Sequence, residues 1–216
     1  MSISARMERT AEALRKNNMD AYCVAAKEEV PALVASLLSE GDTVAFGGSV
    51  TLNEAGVMDL LRGGKYHVLD RYAEGLTRPQ VEEIFRQSFF ADAYFSSSNA
   101  VTERGELYNV DGNSNRVAAL CYGPKSVILV VGENKIVADL AEAEKRVKTV
   151  AAPPNTKRLN CATYCQETGV CMGAEGEFCT DGCHSPARIC CTYVTMGYQR
   201  VAGRIKVILV GEELGF

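Results

Sequence analysis

The cysteines are the residues with the clearest capacity for chemistry. Seven of the nine fall between Cys161 and Cys191, with the spacing C-x3-C-x5-C-x7-C-x3-C-x6-C-C. The same stretch is rich in glycine and has little apolar periodicity, so ordinary core packing is not expected to order it. Disulfides, a tetrahedral metal ion and an iron–sulfur cluster are the cross-links that could hold it together.

The redox context favours a metal or a cluster over disulfides. Segment 1–18 lacks the apolar core of a secretory signal, and no window approaches the ~18 apolar residues of a membrane span. We therefore expect a cytoplasmic protein without membrane contact, where cysteine clusters more often bind metals than form disulfides. Nine is also an odd number, which pairing alone would leave unbalanced.

A glycine turn after the apolar run 43–46 is the first candidate ligand site. Glycines let the backbone approach a ligand closely, and a following helix N-terminus favours an anion. The segment matches neither a P-loop nor a dinucleotide fingerprint. A simple strand–helix turn capped by Ser49 or Thr51 is the structural alternative. The candidate ligand-binding residues here are Gly47, Gly48, Ser49, Thr51, Asn53 and Glu54.

The long polar segment 96–116 is the second candidate. It exceeds a typical connection, which indicates function or disorder. Arg104–Gly105 predicts a hairpin turn, so a structural β-excursion is the alternative to a ligand pocket. Its candidate ligand-binding residues are Thr102, Glu103, Asn109, Asp111, Asn113, Asn115 and Arg116.

No catalytic residue can be named from the sequence. The chain has two histidines, His67 within a predicted strand and His184 within the cysteine segment, and neither forms a recognisable nucleophile–base pattern. Whether the protein is an enzyme stays open.

Strands and helices alternate along the chain, which predicts an α/β fold with a mostly parallel sheet. The run SVILVV at 126–131 is typical of a central parallel strand, and RIKVILV at 204–210 predicts a further strand after the cysteine segment. A helix beginning after Thr77 should bury Val81, Ile84, Phe85 and Phe89, and Pro153–Pro154 should end the helix that begins at Asp139. Ligands of such sheets bind beyond the carboxyl ends of the strands.

Composition limits the partners. The 216 residues carry a net charge of −4 without a lysine- or arginine-rich run, which argues against a nucleic-acid surface. The length suits one domain spanning 1–216, with 155–195 as a cysteine-rich excursion within it. A homodimer is expected only from the general frequency of such assemblies.

Three segments together resemble the LUD-domain family, the lactate-utilisation proteins formerly grouped as DUF162: GGSVTLNE at 47–54, NVDGNSNRVAA at 109–119 and APPN at 152–155. The resemblance runs from about Met7 to Phe216. It implies a three-layer α/β/α fold similar to the NagB/RpiA/CoA-transferase group. It also implies a role in or near the oxidation of lactate to pyruvate, beside oxidoreductase or iron–sulfur protein partners.

The cysteine segment resembles a C-terminal motif found in one branch of that family. The resemblance implies Cys165, Cys171, Cys183 and Cys190 as metal ligands. The chain departs from the motif at Tyr164, where proline is usual, and in an insertion that brings Cys179 as an alternative to Cys183. Four thiolates suit either Zn²⁺ or a [4Fe-4S] cluster, and the count does not decide between them.

Three functions follow as hypotheses. The first is a protein that binds a small anionic metabolite and takes part in organic-acid oxidation. The second is a non-enzymatic iron–sulfur or zinc subunit for electron relay or docking. The third, by fold analogy alone, is an acyl- or folate-type transferase with Glu54 or Glu103 as its nucleophile.

Overall fold

Two sheets organise the protein in the computed structural model, which describes residues 3–216. The strands are, in chain order, β1 (Asp20–Val24), β2 (Thr43–Phe46), β3 (His67–Leu69), β4 (Ala93–Ser96), β5 (Ala100–Thr102), β6 (Leu107–Asp111), β7 (Ser126–Gly132), β8 (Ile136–Val137), β9 (Thr192–Met196) and β10 (Ile205–Val210). Six of them form one parallel sheet in the order β1-β10-β7-β4-β2-β3. The predicted mostly parallel α/β sheet is confirmed.

Helices flank this sheet on both faces. They are α1 (Ala5–Lys16), α2 (Val30–Ser36), α3 (Val50–Glu54), α4 (Val57–Arg62), α5 (Arg78–Gln87), α6 (Asn115–Cys121), α7 (Leu140–Arg146), α8 (Ala152–Arg158) and α9 (Tyr164–Thr168), with a π-helical turn at Val147–Ala151 and 3₁₀ turns at Lys27–Glu29, Ser88–Phe90 and Glu133–Lys135.

The central strand β7 shows why both faces need cover. Its alternate side chains enter different cores, Leu129 on the face covered by α1 and Ile128 on the face covered by α2 to α4. Both are fully buried. A continuous apolar run is therefore the pattern that a doubly covered strand requires, because side chains on a strand point alternately to opposite faces.

The second sheet has the order β8-β5-β6-β9, and β9 pairs antiparallel with β6. The predicted Arg104–Gly105 turn joins β5 to β6. Gly105 has φ +79°, and a Cβ there would lie 2.6 Å from the backbone of Ala13 in α1, so the turn packs tightly against that helix. The cysteine segment 159–191 lies between α8 and β9, so the chain returns from it into this smaller sheet.

Two local predictions are wrong. Pro153–Pro154 does not end the helical stretch, because a π-helical turn intervenes and the prolines occupy the first turn of α8, where the missing N–H is not needed. The apolar stripe of α5 is only half-buried, because Val81, Ile84 and Phe85 all keep part of their surface exposed. No helix within residues 3–216 is both long and apolar enough to cross a membrane.

Candidate functional site

A cleft of about 200 Å³ lies at the carboxyl ends of β2, β4 and β7, three neighbouring strands of the parallel sheet. We call it the strand-end cleft. The turn at 47–49, the serines at 96–98 and the 3₁₀ turn Glu133–Lys135 each follow one of these strands and contribute to its wall. This position is the one at which parallel α/β sheets bind ligands.

The glycine turn brings the backbone close to bulky side chains. A Cβ at Gly47 would lie 3.1 Å from Arg116 Cδ, and a Cβ at Gly48 would lie 2.8 Å from the Tyr72 hydroxyl. The Tyr72 ring in turn stacks on Phe46, with ring centroids 6.2 Å apart. A side chain at 47 would press on Arg116, and one at 48 would require the Tyr72 hydroxyl to move.

Lys135 lies at the base of the cleft with 3% of its surface exposed. Its ammonium donates to Thr51 Oγ1 at 2.7 Å and to Ser97 Oγ at 3.1 Å. Thr51 is itself buried and donates to the Leu214 carbonyl. Ser49, by contrast, caps α3 by accepting from the Leu52 N–H, which is the predicted structural role.

Burial without an ion-pair partner among residues 3–216 changes the chemistry of Lys135. Desolvation lowers the pKa of its ammonium from 10.5 to about 7; the charge of Arg146 lowers it further, the carboxylate of Glu54 opposes this, and Arg116 has the smallest effect, also lowering it. Among the ion pairs of residues 3–216 none includes Lys135.

Arg116 is held by the protein itself. One terminal nitrogen donates to Asn109 Oδ1 at 2.7 Å and the Ser97 carbonyl at 3.3 Å, and the other donates to Asn99 Oδ1 at 3.0 Å and the Val110 carbonyl at 2.8 Å. Burial lowers the pKa of the guanidinium, opposed by the charge of Asp111. Since its terminal donors are used, Arg116 contributes positive charge to the cleft more than free hydrogen bonds.

The cleft is strongly unbalanced in charge. Within residues 3–216 its wall includes four basic side chains, Arg71, Arg116, Lys135 and Arg158, and one acidic side chain, Asp111, which pairs with Arg116 at 3.7 Å. The Asp111 carboxylate accepts from the backbone N–H groups of the following turn, so it shapes the loop at 112–114. An electropositive concave site of this kind favours an anionic ligand.

The structure brings about half of the predicted ligand residues together. Those that line the cleft are Gly48, Ser49, Thr51, Asp111, Asn113, Asn115 and Arg116. Gly47 and Asn109 lie behind the wall, in contact with Arg116.

The remaining predicted residues lie outside the cleft wall. Asn53 and Glu54 are exposed on α3, and Glu54 accepts from the Gly215 N–H at 2.6 Å. Thr102 bonds to Glu106, and Glu103 pairs with Arg6 of α1 at 2.8 Å. Thr102 and Glu103 lie away from the cleft because β5 leads the chain from the strand ends toward the hairpin beside α1.

Sequence reasoning missed Lys135, Arg71 and Arg158. A signal for Lys135 was present, because the charged sequence Glu133–Asn134–Lys135 directly follows the apolar strand β7. The carboxyl-end rule that identified the other two segments applies equally to this one.

A second cavity, of about 20 Å³, is lined by five cysteines: Cys165, Cys171, Cys179, Cys183 and Cys190. We call it the cysteine cavity. The four residues implied by the resemblance are thus joined by Cys179, while Cys161 and Cys191 are not among its lining residues. All nine cysteines are free thiols.

The thiols that line the cysteine cavity are of the donor type that zinc and iron–sulfur sites use. Burial, followed by the charges of Cys171 and Cys165, raises the pKa of the Cys190 thiol to about 12, so a positive centre would be needed to stabilise its thiolate. The buried Tyr108 hydroxyl lines the cavity without a hydrogen-bond partner, and Arg188 also lines it. The thiols are too far apart to form a metal site, however: within residues 3–216 no three His, Cys, Asp or Glu side chains are placed to hold one metal ion.

Ile189 lies between the two cavities and lines both. Its Cα would be 3.1 Å from a Cβ at Gly112, so the cysteine segment packs directly on the loop that follows Asp111. The Cys191 N–H donates to the Asp111 carbonyl at 3.0 Å, which fixes this contact.

Comparison with solved structures agrees with the fold. A DUF162 family protein from Deinococcus radiodurans has 18% sequence identity and a TM-score of 0.55, and the alignment covers 98% of this chain and 99% of that one. The eIF2B beta structure from Chaetomium thermophilum has 15% identity and a TM-score of 0.39 over 54% of this chain and 44% of that one, a similarity too low to support an argument. No curated protein matches the chain significantly.

The sequence model of the LUD domain matches residues 7–210, which is nearly the whole chain. The motifs in the strand-end cleft and the shared fold agree with this match. The protein therefore belongs to the LUD-domain family.

Proposed function

We propose that the protein binds a small organic carboxylate in the strand-end cleft and takes part in the oxidation of lactate or a related acid. Membership of the LUD-domain family supports a role associated with lactate utilisation. The observation that carries the proposal is Lys135, a buried ammonium with no ion-pair partner among residues 3–216, in a cleft where basic side chains outnumber acidic ones.

The energetics favour an anionic ligand at this place. A buried charge is costly unless it is paired, and a carboxylate bound in the cleft among Lys135, Arg71 and Arg158 would supply a counter-charge to all three. The Thr51 and Ser97 hydroxyls accept from the ammonium and line the cleft beside it. The cleft volume of about 200 Å³ suits a molecule of a few heavy atoms.

Calorimetric titration with lactate, pyruvate and inorganic phosphate tests the proposal. We expect Lys135→Met to weaken carboxylate binding by about 10- to 100-fold, the value of one charge-assisted hydrogen bond of about 1.5–3 kcal/mol. Lys125→Met is the control, since Lys125 is exposed and pairs with Asp92 outside the cleft. Equal affinities of the wild type and Lys135→Met, or binding of phosphate alone, would contradict the proposal.

A second candidate function is favoured by the cysteine cavity. We propose that the cysteine segment binds a [4Fe-4S] cluster or Zn²⁺, so that the chain serves as a subunit for electron relay or docking with an oxidoreductase. Cys165, Cys171, Cys190 and either Cys183 or Cys179 would hold the centre. A cluster supplies one-electron transfer, whereas zinc supplies a structural cross-link.

Anaerobic purification followed by metal analysis separates these outcomes. Visible absorption that dithionite bleaches indicates a cluster, and one equivalent of zinc in a colourless protein indicates a structural site. Cys171→Ser should abolish either, while Cys191→Ser, outside the cavity, should retain it. A protein that takes up neither iron nor zinc after reconstitution would refute the metal proposal.

The transferase hypothesis has no comparable support. A nucleophilic carboxylate must reach the bound substrate. Neither Glu54 nor Glu103, the two glutamates that could fill this role, lines the strand-end cleft.

A further inference from the structure

Lys135 combines features that a structural lysine does not need. It is almost fully buried, its ammonium donates within residues 3–216 to the Thr51 and Ser97 hydroxyls alone, and all three residues line the strand-end cleft. A lysine retained for stability would normally pair with a carboxylate when buried. This one is placed where a ligand must complete its environment.

The charge state of Lys135 makes its amine chemically useful. Because desolvation and the neighbouring guanidinium groups lower its pKa to about 7, a large fraction of the side chain is neutral near physiological pH. Lysines desolvated or placed next to other cations are the ones that act as nucleophiles toward carbonyl carbon. An ordinary surface lysine is almost entirely protonated under the same conditions.

We infer that the Lys135 amine forms an imine with the carbonyl carbon of a 2-oxo acid held in the strand-end cleft, an inference that rests on the carboxylate binding proposed above. The two functional groups of a 2-oxo acid match the two features of the cleft. Its carboxylate suits the cationic wall formed by Arg71, Arg158 and Arg116, and its ketone suits the amine.

The reaction balances without any further reagent. The amine lone pair forms the C–N bond while the carbonyl π electrons move to oxygen, and one N–H proton passes to that oxygen to give the carbinolamine. The nitrogen lone pair then forms the C=N bond as the hydroxyl group leaves, and the second N–H proton completes the departing water. One amine and one ketone give one imine and one water. The Thr51 and Ser97 hydroxyls, 2.7 and 3.1 Å from Nζ, are placed to carry the protons.

Reductive trapping tests the inference on the full-length wild-type chain. The protein is incubated with pyruvate and cyanoborohydride, which reduces an imine to a stable secondary amine, and the adduct is located by peptide mass spectrometry. We expect one adduct per chain, on Lys135, and none with lactate, which has no ketone. Since the peptide map of the wild type identifies the lysine, the result does not depend on a variant that folds.

Lys206→Arg is the matched control for Lys135→Arg. Lys206 is also partly buried, its pKa is lowered by burial, and it donates to the Ser126 hydroxyl at 2.9 Å, but it lies outside the cleft. Trapping should disappear in Lys135→Arg and persist in Lys206→Arg. An adduct spread evenly over surface lysines would overturn the inference.

Calorimetry on the same samples distinguishes a failure of imine formation from a failure of carboxylate binding. If pyruvate binds to the wild type but no adduct forms on Lys135, the imine is refuted and carboxylate binding stands. If pyruvate neither binds nor is trapped, both proposals fail.

Discussion

Replacement of Lys135 by methionine should stabilise the ligand-free protein, and the gain should depend on pH. Burial lowers the pKa of the ammonium from 10.5 to about 7. Each pH unit between those values corresponds to about 1.4 kcal/mol. The protonated side chain therefore costs about 5 kcal/mol in the folded protein at pH 6, where both the folded and the unfolded states carry the proton.

The sign follows from proton binding. Between pH 7 and pH 10.5 the unfolded chain binds the Lys135 proton and the folded chain does not, so the stability of the wild type rises with pH in this window. The stability of Lys135→Met does not depend on this titration. The variant loses the two hydrogen bonds of the ammonium, about 1 kcal/mol each. The variant should thus be more stable by about 3 kcal/mol at pH 6 and about equal to the wild type at pH 9.

Urea denaturation at the two pH values measures this difference, and titrations common to both proteins cancel. Lys125→Met is the control, because Lys125 is exposed and its ion pair with Asp92 raises its pKa. A variant that is less stable than the wild type at pH 6 would refute the reasoning. So would a difference that is the same at both pH values, since Lys135 would then have a counter-charge.

Three further predictions concern the turns and the cysteine segment. Gly105→Ala should cost about 3 kcal/mol or more in thermal denaturation, because its φ is +79° and its Cβ would meet the backbone of α1 at 2.6 Å; Gly75→Ala, with φ +78° and open space around its Cβ, should cost only about 1–2 kcal/mol. Arg188→Ala removes donors to three backbone carbonyls of the cysteine segment, so limited proteolysis should cut within 159–191 faster while the parallel sheet stays protected; an unchanged cleavage rate would contradict this. In the metal-free protein, iodoacetamide should modify the exposed Cys191 well before Cys190, whose raised pKa keeps its thiol protonated; mass spectrometry of the timed reaction would show the reverse order if that is wrong.

The parallel sheet could be predicted because its central strands are recognisable from their local sequence alone. A strand covered on both faces must be apolar at every position, and β7 and β10 have that pattern. The strand β9 lacks it. Its residues Thr192–Met196 are only partly buried, and its pairing with β6 depends on contacts more than eighty residues apart, which periodicity does not record.

The location of the cleft could be predicted from the sequence, but the burial of Lys135 at its base could not. The carboxyl-end rule selects the turn at 47–49 and the loop at 111–116, and residues of both segments line the cleft. Lys135 differs from a surface lysine only because it is buried, and this burial depends on tertiary contacts with distant residues such as Thr51 and Gly215. A charged residue in a short turn after a strand is normally solvated, so local sequence alone assigns it to the surface.

Ile189 couples the metal site proposed in the cysteine cavity to the carboxylate site proposed in the strand-end cleft. Protein interiors are close-packed, so a side chain that forms a wall common to two chambers cannot shift for one occupant without altering the room left for the other. Gathering four sulfur atoms around an inorganic centre would move Cys190, whose neighbour Ile189 lines the strand-end cleft. Thermodynamic reciprocity then requires the acid to influence the affinity for that centre by the same factor.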